Sequence, residues 1–140
     1  MSVASTESPR GTGDPSLGAF AQVLPDADLV LLLGKKLDFT LQFGDSPSFS
    51  KSCRFIQVDA DEDVLGETRK VLGSSRRLAL AQLADPLPAA RRLIHMAEGG
   101  QWPSSDWHDE VQAAISYRPP EWATLESAPG GPLHAVEVCR

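Results

Sequence analysis

The sequence predicts an α/β fold, a doubly wound and mainly parallel sheet with helices on both faces. Three observations carry this. Short, mostly apolar runs stand at Asp28–Leu33, Arg54–Val58 and Arg77–Leu83, the first of them continuous. Each ends on glycine or near aspartate, and the segments around them repeat apolar residues at helical spacing. A short apolar run bounded by turn residues reads as a strand covered on both sides, and strands alternating with helices imply parallel pairing.

In chain order, Val3-Ala-Ser-Thr6 is a weak first strand candidate, short and poor in large apolar residues. Asp14-Pro15 offers an N-cap followed by proline at the first helical position. Leu17, Phe20, Ala21 and Leu24 then follow at i, i+3, i+4 and i+7, and Pro25 helps to end that helix. The run Asp28-Leu-Val-Leu-Leu-Leu33 before Gly34 is the strongest strand signal. Arg54-Phe-Ile-Gln-Val58 closes on Asp59, and Asp61-Glu-Asp63 resembles the acidic first turn of a short helix. Arg77–Leu83 gives a third strand, and Asp85-Pro86 repeats the helix-start signal. Leu87, Ala90, Ile94 and Ala97 share one face of that helix, which Gly99-Gly100 stops. Trp107, Val111, Ala114 and Ile115 mark a further helix that must finish before Pro119-Pro120. Residues 117–132, rich in proline and glycine, read as an extended linker. Leu133 and Val136 open what reads as another helix before the sequence stops at Arg140.

The 140 residues suit one domain of ordinary size, with 41% hydrophobic and 23% charged residues. A formal net charge of -6 argues against nucleic acid, which asks for a basic stripe. Lys35-Lys36, Arg76-Arg77 and Arg91-Arg92 lie scattered among acidic stretches and read as solvated surface. No apolar run is long enough to span a bilayer, and Met1–Arg10 lacks the layout of a signal peptide. Cys53 and Cys139 have no metal or disulfide spacing, which fits a cytoplasmic chain.

Parallel sheets bind ligands at the carboxyl ends of their strands. Pro9-Arg-Gly-Thr-Gly13 reads either as turn chemistry or as a phosphate cradle at a helix start, though Gly11, Gly13 and Gly18 miss the G-x-G-x-x-G spacing. Gly34-Lys-Lys-Leu-Asp38 could hold an anion, yet a glycine leaving a strand needs no ligand to explain it. Asp59 stands where a Rossmann-type site places its ribose contact, and a helix cap explains it equally well. Asp61 reads as a cap. Asp106, His108, Asp109 and Glu110 form an acidic cluster whose lone imidazole has no partner at ligand spacing. His95 and His134 stand alone, and no serine or cysteine lies in a nucleophile motif.

Taken together, Ala27–Gly34, Leu37-Asp-Phe39, Phe43-Gly44 and Phe55–Asp61 resemble the central domain of thiamine diphosphate-dependent enzymes. The group is that of acetolactate synthase, benzoylformate decarboxylase, 2-hydroxyacyl-CoA lyase and oxalyl-CoA decarboxylase. The resemblance implies a Rossmann-like domain over residues 1–116 that lacks the family's usual earlier strand and helix. It further implies a linker over 117–132 and, from Leu133, the start of the third domain. Catalysis in the family uses a first-domain glutamate that activates the thiazolium, and a third-domain Gly-Asp-Gly…Asn segment for Mg²⁺ and the diphosphate. Gly44-Asp45-Ser46 is the nearest local match, and the chain contains no asparagine. No catalytic or metal residue is therefore carried over. Some relatives hold FAD, ADP or CoA on this domain, and the matching positions are Gly34, Asp38 and Asp59. The expectation is a structural, non-catalytic central domain of a lyase or carboligase acting on 2-oxo acids or 2-hydroxyacyl-CoA, with the flanking catalytic domains as its partners. The alternative is a free-standing module for an adenine nucleotide or FAD.

Overall fold

The computed structural model describes residues 17–101, 105–127 and 129–133. Three strands, β1 (Leu29–Leu33), β2 (Arg54–Asp59) and β3 (Leu78–Leu83), form a parallel sheet in the order β1-β2-β3. Among the described residues four helices accompany them: α1 (Phe20–Val23), α2 (Glu62–Leu72), α3 (Pro86–Ala97) and α4 (Trp107–Ser116). The α/β class and parallel sheet match the sequence reading. The expected strand at Val3–Thr6, the Asp14-Pro15 helix start and the segment after Leu133 lie outside the described residues.

Local chemistry explains most of the boundaries. Asp61 caps α2 by accepting from the Asp63 N–H at 2.9 Å, and Asp85 caps α3 by accepting from the Leu87 N–H at 2.9 Å. The helix at Asp61 runs eleven residues rather than staying short. The first helix is shorter than its periodicity implies. Gly18 has φ +59°, and a Cβ there would sit 2.4 Å from the Ala114 carbonyl oxygen. That close approach of the backbone to α4 delays α1 until Phe20, and Leu24–Asp26 tightens into a 3-10 turn around Pro25. The β1–β2 crossover carries no α-helix. A 3-10 segment, Phe39–Gly44, replaces it, kinked where Gln42 and Phe43 take left-handed dihedrals. Within residues 117–132, which the sequence reading takes as a linker, a 3-10 turn spans Pro120–Ala123.

The two faces of the sheet differ. Phe20, Leu24, Leu32, Leu37, Leu41, Phe49, Cys53, Phe55, Leu72 and Val111 form one buried core, with Val30 and Leu78 packed against it. Phe55 is fully buried there, edge-on to Phe49 at 5.3 Å and beneath the Arg77 guanidinium at 5.2 Å. Helix α3 adds nothing to that core and lies against β1 and β2 on the opposite face. There Val58 is buried, but Leu29 is 50% exposed and Leu80, the register partner of Ile56, is 49% exposed. Burial on both faces, which the apolar runs predict, is thus incomplete. Among the described residues one helix covers the second face, and none of its own residues is buried. Among the described residues no helix is long and apolar enough to cross a membrane.

Candidate functional site: the carboxyl ends of β1 and β2

The sequence places its ligand candidates where two neighbouring strands end, and the structure brings those ends together. Gly34 follows β1 with φ +62°, and its N–H donates to the Val58 carbonyl at 2.9 Å. A Cβ on Gly34 would meet Pro86 Cγ at 3.1 Å. Glycine is needed here for the left-handed turn and for the close approach of the first turn of α3.

The next residues fold into a closed polar loop. Lys35 Nζ donates to both Asp38 carboxylate oxygens, at 3.2 and 3.3 Å, and to Thr40 Oγ1 at 2.8 Å. Asp38 Oδ1 also accepts from the Thr40 N–H at 3.0 Å and from Thr40 Oγ1 at 2.5 Å. Burial alone would raise the Asp38 pKa, but the hydrogen bonds from Thr40 and Lys35, with the lysine's charge, outweigh it and hold the carboxyl below its ordinary value. Asp38 is thereby a cap for the 3-10 segment and a counter-ion for Lys35.

Asp59, the last residue of β2, is buried, and its Oδ1 accepts from the Asp61 N–H at 3.0 Å. Its carbonyl accepts from the Ala84 N–H at 2.9 Å, which ties the ends of β2 and β3 together. Asp59 does not itself cap α2: its carboxylate closes the turn to Asp61 that leads into the helix. Asp61 is the N-cap of α2, as its position after a strand implies.

Gln57 was not singled out by its sequence context. It is fully buried between those loops, and its Nε2 donates to the Lys35 carbonyl at 3.1 Å. Its Oε1 has no hydrogen-bond partner among the described residues. A polar residue amid the apolar positions of a buried strand is the signal that could have found it. Gln57 fastens the post-β1 loop to β2, and so sets where Lys35 and Asp38 stand.

The other described residues offer little chemistry. Burial raises the Cys53 thiol, only partly opposed by Arg77, so the cysteine stays protonated in the core. His95 Nδ1 lies 3.2 Å from Glu98 Oε2 on the exposed surface of α3. Asp109 and Glu110 occupy the first turn of α4. Among the described residues no three His, Cys, Asp or Glu side chains converge to hold a metal ion. Gly44-Asp45 does not fit a diphosphate and metal motif. Gly44 is buried with φ +76°, and a Cβ on it would press on Phe55 Cζ at 3.1 Å. That glycine serves core packing. A cleft of about 300 Å³ lies at the opposite end of β1, lined by Asp26, Ala27, Asp28, Leu29, Ser105 and Trp107.

No family model matches the chain. It is similar to 2-hydroxyacyl-CoA lyase 1 of Dictyostelium discoideum, with 28% identity over 127 residues, 79% of this chain and 21% of that protein. It is also similar to 2-hydroxyacyl-CoA lyase of Saccharomyces cerevisiae, with 43% identity over 49 residues, 35% of this chain and 9% of that protein. The chain therefore spans about a fifth or less of the curated relatives it matches. 2-Hydroxyacyl-CoA lyase is one of the four thiamine diphosphate-dependent enzymes whose central domain the motifs at Ala27–Asp61 resemble.

Proposed function

We propose that this chain is the central domain of a thiamine diphosphate-dependent lyase of the 2-hydroxyacyl-CoA type, and that it serves structure rather than catalysis. The observation that carries this is the sequence similarity to 2-hydroxyacyl-CoA lyase 1. It covers 79% of the chain but only 21% of that protein, and the strand-end motifs resemble the same family's central domain. The polar groups at the strand ends support the same reading. Asp38, Lys35, Thr40, Gln57 and Asp61 bond mainly to one another and to nearby backbone, so they fix the loops.

In this reading the thiamine diphosphate and Mg²⁺ belong to flanking catalytic domains, which are the chain's partners in the cytoplasm. Bound there, thiamine diphosphate would supply the nucleophilic carbon needed to cleave or form the C–C bond beside a 2-hydroxyacyl or 2-oxo group. This chain's residues hold no proton at a reacting atom. The half-exposed face of β1, β3 and α3 has apolar area to offer a flanking domain.

The chain incubated with thiamine diphosphate, Mg²⁺ and a 2-hydroxyacyl-CoA is expected to give no turnover above background, and calorimetry no heat of thiamine diphosphate binding. Saturable binding or turnover would contradict the reading. Binding of ADP, FAD or CoA at Gly34, Asp38 and Asp59 is the second reading, favoured only by the position of those residues at the strand ends. A ligand at 100 times its Kd would stabilise the fold by about 2.7 kcal/mol. Little or no shift in melting temperature is expected, because Asp38 and Asp59 already bond within their own turns.

A further inference from the structure

We draw no further inference here: the strongest candidate, the exposed apolar patch of Phe39 and Phe43 on the kinked 3-10 segment after β1, carries nothing because nothing in the structure shows what covers it.

Discussion

On one face of the sheet Phe55 and Gln57 are fully buried beneath α1, α2, α4 and the Phe39–Gly44 segment. On the other, Leu29 and Leu80 stay half exposed, and α3 leaves Ile94 63% exposed. The strands supply apolar residues to both faces, so the difference lies in the cover. Stability follows buried apolar area and packing, so it should concentrate on the Phe55 face, leaving the other face available for contact with further protein.

Phe55→Ala should separate the faces most sharply. It removes a ring packed on Phe49, Arg77 and Gly44, and a loss of about 3–5 kcal/mol is expected in urea unfolding. A loss under 1 kcal/mol would break the comparison. Gly44→Ala adds a methyl against the Phe55 ring at a positive φ, and about 1–3 kcal/mol should be lost. Thr40→Val deletes the hydroxyl that bridges Lys35 and Asp38, and about 1–2 kcal/mol should follow.

The same loop predicts a pH dependence. The Asp38 pKa is lowered in the folded chain, so the carboxylate contributes stability above its unfolded value of about 3.8, and that contribution is lost as pH falls through the folded value. Wild type should therefore exceed Asp38→Asn in unfolding midpoint near neutral pH, with the gap narrowing only below about pH 3.8. A gap that closes well above that pH would contradict the Lys35–Asp38–Thr40 arrangement. The smallest effect is expected on the other face. Ile94→Gln on α3 should change stability by no more than about 0.5 kcal/mol, measured alongside Phe55→Ala.

The strands were legible because each is a short apolar run ended by Gly34, Asp59 or Asp85. Helices α2 and α3 were legible because aspartate caps are local, with donor and acceptor two residues apart. What depended on distant neighbours was not legible. The delayed start of α1 comes from the Gly18 backbone lying on α4, almost a hundred residues away along the chain. The crossover after β1 takes left-handed dihedrals at Gln42 and Phe43, residues that do not advertise them. Gly34, Asp38 and Asp59 stand at or just after the strand ends, as their sequence context implies, but the bonds that occupy Asp38 and Asp59 could not be read from spacing. Gln57 escaped because a single amide in a strand shows its role only once the Lys35 carbonyl is beside it.

The central claim is that this domain holds catalytic domains in place without contributing to their chemistry. A chimera tests it most directly. In 2-hydroxyacyl-CoA lyase 1 of Dictyostelium discoideum, the segment aligned with this chain is replaced by this chain, and C–C cleavage is followed alongside thermal unfolding. The account predicts a folded chimera that binds thiamine diphosphate and retains cleavage within about tenfold of the parent, a barrier change of about 1.4 kcal/mol. A chimera that folds and binds the cofactor but has lost cleavage altogether would contradict it, because the replaced segment would then have carried part of the reaction.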